Sequence, residues 1–144
     1  MTSKLLSALE RILLTLWVGA LWVAGFIVAP LLFSELDDRA LAGSLAGSLF
    51  TITSYLGLGC GGLLLILNSL TFRAVNWRAI FVVGMLLLVV IGQFVITPMV
   101  VELRDQGLTD TARFGQLHGL ASVLFITTSI LGLVLVAAGQ KNRD

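Results

Sequence analysis

The sequence predicts an all-α integral membrane protein, a four-helix bundle whose helices run up, down, up and down through the bilayer. Three observations lead to this prediction. Hydrophobic residues make up 58% of the 144-residue chain and charged residues only 12%, about half the charged share of a soluble domain. The charges divide the chain into four long uncharged runs. These runs also lack the alternation of polar and apolar residues that is typical of barrel strands.

The four uncharged runs cover residues 12–34, 40–72, 79–101 and 114–140, with lengths of 23, 33, 23 and 27 residues. A hydrocarbon core about 30 Å thick is crossed by roughly 20 helical residues, so each run is long enough. A helix satisfies its own backbone hydrogen bonds in lipid without neighbouring strands. We therefore predict helices over 12–33, 40–72, 79–101 and 114–139, within a single transmembrane domain covering residues 1–144.

The first run has some features of a secretory signal peptide, because Lys4 and Arg11 precede it. Its apolar stretch is longer than the 7–15 residues typical of such peptides. It also continues through Pro30 to Phe33 without a clear cleavage site of small residues. We expect a retained helix whose proline lies near one end, where a kink or an early end is tolerated.

Basic residues are unequally shared between the two ends of the predicted bundle. The end with the termini and the middle connection has six, and the opposite end has three; the six are Lys4, Arg11, Arg73, Arg78, Lys141 and Arg143, and the three are Arg39, Arg104 and Arg113. Arginine and lysine in short connections stay on the cytoplasmic side. This bias predicts that the N-terminus and the C-terminus are both cytoplasmic. At the opposite end, Asp37 or Asp38 is expected to cap the second helix.

Small residues recur every four positions in the second run, first in the tandem repeat Ala42-Gly-Ser-Leu-Ala-Gly-Ser-Leu49 and again at Gly57 and Gly61. Small side chains allow two helix backbones to approach closely in lipid. The second helix is therefore expected at the centre of the bundle. The spacing fits packing within the chain, which we favour, and also a seam between two copies of the chain.

Charged residues are absent from all four runs. Ionisable side chains inside the membrane are typical of proton relays and ion-coupled transporters, so their absence argues against a pump or proton-coupled transporter. The sequence also has no phosphate-binding glycine loop, nucleophile elbow or zinc-protease motif. Its net charge of +1 provides no basic surface for nucleic acid.

His118 is the single histidine, and it lies five residues past Arg113, roughly 7 Å into the membrane. The sequence allows two interpretations: a hydrogen-bonded histidine that ties two helices together, and a histidine in a ligand site. Zinc normally takes three or four protein ligands, and Cys60 lies too far along the chain to join His118. A copper contact between His118 and Met99 is chemically allowed, but two ligands at unconstrained spacing are too small a donor set to indicate a metal site. We predict no metal site and no catalytic residue. The candidate ligand-binding residues are His118, Gln93, Thr97, Gln116 and Ser122.

Several short segments resemble one bacterial protein family. They are Trp17-Val-Gly19, Pro30-Leu-Leu-Phe33, Ala42-Gly with Phe50 soon after, and Phe114-Gly-Gln-Leu-His-Gly-Leu-Ala-Ser122. The chain resembles the proteins of domain of unknown function 4149, which are similar to the eukaryotic transmembrane protein 205 group. The resemblance implies a four-helix protein of the bacterial inner (plasma) membrane and supplies no reaction. It marks His118 as the residue to test.

These observations predict a multi-pass inner-membrane protein that acts as an accessory or small-ligand-handling component, without catalysis and without a cofactor. Two alternatives stay open. One is a passive carrier of a small molecule or metal through a path near His118. The other is a membrane oxidoreductase acting on a lipid-soluble substrate, with His118 as its acid or base. The expected partner is the lipid bilayer, and another membrane protein or a second copy of the chain are further candidates.

Overall fold

The computed structural model describes residues 3–71 and 76–139, and every secondary-structure element in these ranges is a helix. The first helix is α-helical over Ser3–Trp22 and Ala29–Glu35, with a π-helical segment, Val23–Val28, between them. The second helix is continuous over Arg39–Thr71. The third consists of Trp77–Ile91, the π-helical segment Gly92–Ile96, and Thr97–Asp105, and the fourth covers Ala112–Ala137.

All four helices are long and apolar enough to cross a membrane, which confirms the predicted all-α, four-helix transmembrane fold. We call the end of the bundle with connections 36–38 and 106–111 the distal end, and the opposite end the terminal end. The predicted orientation depends partly on Arg73, Lys141 and Arg143, which lie outside the described residues. The orientation therefore stays a prediction.

Short polar side chains fix where the helices begin. Asp38 Oδ1 accepts hydrogen bonds from the amides of Ala40, at 2.8 Å, and Leu41, at 3.1 Å, so Asp38 is the residue that caps the second helix. Asn76 caps the third helix and Thr111 the fourth in the same way. Each cap satisfies an amide that would otherwise lack a partner at a helix start.

The third helix extends four residues beyond the uncharged run, to Asp105. It ends in a Schellman motif: the Leu108 amide donates to the Leu103 carbonyl at 2.8 Å, and the Gly107 amide donates to the Arg104 carbonyl at 2.9 Å. Gly107 has φ 71°, a conformation that glycine adopts easily. Charged residues end the apolar run, but the helix continues through them. The connection between the third and fourth helices is therefore shorter than the uncharged runs predict.

Each π-helical segment ends two residues before a proline. Pro30 and Pro98 are each the second residue of the α-helical segment that follows. Proline has no amide to donate, and its ring collides with the carbonyl four residues earlier. A wider turn relieves that collision, and the Thr97 hydroxyl donates to the Gly92 carbonyl of the widened turn at 2.9 Å.

The core of the bundle lies in its terminal half. Trp17, Met85 and Leu135 are fully buried there, and Cys60 belongs to the same cluster. A Cβ built on Gly61 would stand 2.9 Å from Cζ3 of Trp17, too close for a side chain. The glycine spacing at 57 and 61 therefore serves packing within the chain, as favoured from the sequence.

The four helices do not pack equally along their length. In the terminal half each helix packs closely against both of its neighbours. Beyond the two π-helical segments, close backbone packing continues only between the first and second helices and between the third and fourth. We call these pairs the first hairpin and the second hairpin. The two hairpins diverge towards the distal end. In that half of the bundle, side chains and not backbones make the contacts between them.

Arg78 holds the two hairpins together at the terminal end. Its Nε forms an ion pair with Glu10 Oε1 of the first helix at 3.2 Å. Its Nη1 donates to the carbonyls of Leu135, at 3.3 Å, and Gly139, at 2.8 Å, at the end of the fourth helix. A cation at a helix C-terminus also interacts favourably with the helix dipole.

Candidate functional site

A cavity of about 900 Å³ lies between the two hairpins, from the π-helical segments to the distal end. Ligand pockets in proteins measure roughly 300–1,000 Å³, so this cavity is at the upper end of that range. All four helices contribute to its wall, from segments 21–33, 43–54, 88–105 and 118–128. At 1.5 Å per residue, these segments indicate a depth of roughly 15–25 Å.

Aromatic rings form much of the apolar wall. The Phe125 ring lies 5.3 Å from that of Phe50, edge to face, and 5.9 Å from that of Phe26, measured between centroids. Phe125 occupies the space next to Gly25, where even a Cβ would collide with the ring. One aromatic residue of the second hairpin thus contacts both helices of the first and bridges the space between the hairpins.

Polar side chains line the remaining wall. They include hydroxyls, one amide, one imidazole and two charged groups: Ser44, Ser48, Thr51, Thr53, Ser54, Gln93, Thr97, Arg104, Asp105, His118, Ser122 and Thr128. Several of the hydroxyls donate to a carbonyl of their own helix, as Thr53 does to Phe50 and Thr128 to Leu124. A hydroxyl whose proton is used in this way still offers an acceptor oxygen to a ligand.

Four of the five residues predicted as ligand-binding lie on this cavity. His118, Gln93, Thr97 and Ser122 line it, whereas Gln116 is exposed and lies outside it. The amide Nε2 of Gln93 points to Thr51 Oγ1 at 3.5 Å, a distance at which a hydrogen bond is weak. The structure therefore places the predicted residues of the third and fourth helices on the wall of the same cavity.

The His118 imidazole makes no hydrogen bond to any residue in ranges 3–71 and 76–139. Its ring stacks on that of Phe114, one turn earlier, with a centroid separation of 6.1 Å and an interplanar angle of 7°. Ser122 donates to the backbone carbonyl of His118 at 2.9 Å, not to its ring. The interhelical hydrogen bond required by the structural interpretation is thus not formed among the described residues.

Arg104 is a site residue that the sequence reasoning missed, because it was assigned to the connection after the third helix. It lies on the last turn of that helix, and its guanidinium covers two glycines of the second helix. A Cβ on Gly47 would stand 3.4 Å from Nη1, and one on Gly43 would stand 3.7 Å from Nη2. The signal was present: Gln93, Thr97 and Arg104 are four and seven residues apart, which places them on one helix face.

Comparison with known proteins gives a family and no individual relative. No curated protein and no solved structure matches the chain. A family model matches residues 12–109, about two thirds of the sequence. The match includes Gln93, Thr97 and Arg104 and ends before His118 and Ser122. It confirms the resemblance seen in the sequence, and the chain belongs to the family described as domain of unknown function (DUF4149).

Proposed function

We propose that this protein is a non-catalytic binding protein, which holds a small lipid-soluble molecule in the cavity between its two hairpins. The observation that carries the proposal is the cavity itself, whose wall combines aromatic rings with convergent polar groups. Ligand sites typically combine apolar walls with a few such polar groups. A membrane protein of this form is an accessory or small-ligand-handling component.

Packing in the terminal half supports binding over passage across the membrane. A carrier needs a path from one side to the other. Below the cavity, Trp17, Met85 and Leu135 are fully buried and fill the space between the helices. The cavity therefore resembles a pocket with one closed end, and the carrier alternative would require this core to open.

The distribution of basic residues supports a location in the bacterial inner membrane with both termini in the cytoplasm. Six basic residues belong to the terminal end and three to the distal end, as the positive-inside rule expects. In this orientation the cavity lies in the outer leaflet. A ligand would then enter from that leaflet or from the periplasmic side.

The test is to purify the full-length protein in detergent, extract it with organic solvent and measure bound small molecules by mass spectrometry. Ser122→Trp fills the cavity, because Ser122 lines it. Val123→Trp is the matched control, because Val123 is 59% exposed on the outer face of the same helix. We expect a stoichiometric molecule with the wild type and the control, and at least a ten-fold loss with Ser122→Trp. Equal amounts in both variants would contradict the proposal.

The same purified preparation also distinguishes ligand binding from the scaffolding and oxidoreductase alternatives. If a stoichiometric membrane protein co-purifies in mild detergent and no small molecule is found, a scaffolding role replaces ligand binding. If the bound molecule is a quinone or porphyrin that is chemically altered during incubation, and His118→Ala stops the change, the oxidoreductase alternative replaces it.

A further inference from the structure

Arg104 combines free hydrogen-bond donors with a position on the cavity wall. A guanidinium carries five N–H donors. Within ranges 3–71 and 76–139, Arg104 forms no ion pair and its side chain donates no hydrogen bond. Its guanidinium lies instead over the bare backbone of Gly43 and Gly47. These two glycines leave room on the second helix for the charged group to reach the cavity.

Arg78 shows the opposite situation at the terminal end. There the guanidinium donates to the Glu10 carboxylate and to two backbone carbonyls. Arg78 is thus a structural residue, whose donors are used in holding three helices together. Arg104 has a comparable place at the end of a helix but no such partners among the described residues, so its donors remain available to a bound molecule.

Three acidic residues at the distal end, Asp38, Glu102 and Asp105, form no ion pair with Arg104. Asp38 accepts from the amides that begin the second helix, and Glu102 accepts from Gln106 at 3.3 Å. Asp105 lines the cavity too, but its carboxylate lies more than 4.0 Å from the Arg104 guanidinium. A ligand with one negative charge suits this distal end, because a multiply charged head group would meet Asp105.

Aromatic rings lie about one helical turn from the Arg104 guanidinium on the cavity wall. The guanidinium covers Gly47, and Phe50 lies three residues further along the second helix, roughly 4.5 Å along the axis. The Phe50 ring packs edge to face on that of Phe125, and both residues line the cavity. The cavity therefore places a cationic group beside an aromatic wall, an arrangement that suits an amphiphile whose head group binds the cation while its chain lies on the rings.

We propose that the ligand is an anionic amphiphile from the membrane, with a singly charged oxyanion head group bound by Arg104 and a hydrocarbon chain against Phe50 and Phe125. Arginine binds carboxylates and phosphates through paired N–H donors. Ile52 and Ile126 line the cavity and are also exposed, at 65% and 46%. They border the spaces between the diverging hairpins, through which a lipid chain enters sideways. This inference rests on the proposed function and specifies its ligand.

The experiment uses full-length protein in nanodiscs of phosphatidylcholine and measures binding of spin-labelled stearate. Unlabelled stearate, lysophosphatidylcholine of equal chain length and inorganic phosphate are the competitors. The variants are Arg104→Gln, Arg104→Lys and the control Arg113→Gln, because Arg113 is exposed at the same end and does not line the cavity. Circular dichroism checks that every variant is folded.

We expect stearate to compete at least ten-fold better than lysophosphatidylcholine, and phosphate not to compete. Arg104→Gln should weaken stearate binding about ten-fold or more, the loss expected for a charge-assisted hydrogen bond. Arg104→Lys should retain part of the affinity, and Arg113→Gln should bind as the wild type does.

Equal binding of the charged and zwitterionic amphiphiles, or unchanged binding by folded Arg104→Gln, would overturn the inference and leave the proposed function standing. Competition by inorganic phosphate alone would overturn it in favour of a free anion. If no amphiphile binds the wild type at a saturable site, the inference fails, whereas the proposed function fails only if the purified protein also carries no stoichiometric small molecule.

Discussion

The indole ring of Trp17 lies directly against Gly57 of the second helix, at a place where a Cβ would collide with its Nε1 atom. This contact joins the first and second helices in the terminal half, below the cavity. Trp17 is fully buried, and its Nε1 has no hydrogen-bond partner among the described residues. Its contribution to stability therefore comes from packing, which is sensitive to added volume.

Gly57→Ala should destabilise the folded protein by about 1–3 kcal/mol, the usual effect of extra volume in a packed core. Thermal unfolding in detergent measures the change. Gly59→Ala is the matched control, because nothing lies within 4 Å of a Cβ at Gly59, and it should be neutral. If the two variants unfolded at the same temperature, the close contact between Trp17 and Gly57 would be disproved.

Arg78→Met should lower the free energy of unfolding by about 1.5–3 kcal/mol, since hydrogen bonds to a charged group contribute about that much. Glu10→Gln should have a smaller effect, because Arg78 keeps its bonds to the Leu135 and Gly139 carbonyls. Denaturant titration of both variants and of the exposed-residue control Arg11→Gln measures the difference. A larger loss from Glu10→Gln than from Arg78→Met would contradict this role of Arg78.

His118→Ala should change the free energy of unfolding by less than about 1 kcal/mol, because the imidazole makes no interhelical hydrogen bond among the described residues. The same variant should reduce occupancy of the cavity that His118 lines. Thermal unfolding and mass spectrometry on one preparation give both values. A stability loss of several kcal/mol with unchanged ligand occupancy would instead establish His118 as a structural residue.

Single cysteines introduced in a Cys60→Ala background should report the orientation. Asp37→Cys and Thr109→Cys lie in the two distal connections, and Lys4→Cys lies at the terminal end. A membrane-impermeant maleimide added to intact cells should label the first two and spare the third until the cells are opened. Labelling of Lys4→Cys alone in intact cells would reverse the predicted orientation.

The four spans could be predicted because hydrocarbon excludes charge, so each helix leaves a long uncharged run in the sequence. The packing of Gly57 and Gly61 followed from their size and spacing. Neither feature depends on the direction in which a long side chain points. For the same reason His118, Gln93, Thr97 and Ser122 could be suggested as one site, from their depth and helix face alone.

The cavity itself could not be predicted, because it results from how two hairpins diverge. Pro30 and Pro98 each come shortly after a π-helical segment, but a proline near a helix end is also compatible with a simple kink. Arg104 was missed for a related reason. Its charge ended the uncharged run, whereas its side chain turns back over Gly43 and Gly47. Gln116 is two residues from His118, about 200° around the helix, and so faces away from the cavity, which illustrates the limit of choosing residues by depth.

The most direct test of the ligand cavity is photo-cross-linking of the wild-type protein in lipid vesicles with a fatty acid that carries a diazirine on its chain, followed by peptide mapping. The cavity predicts saturable cross-links at Phe50, Ser122 and Phe125, which excess unlabelled fatty acid abolishes. Cross-links confined to lipid-facing residues such as Leu63 and Ile130, and unaffected by the competitor, would contradict it.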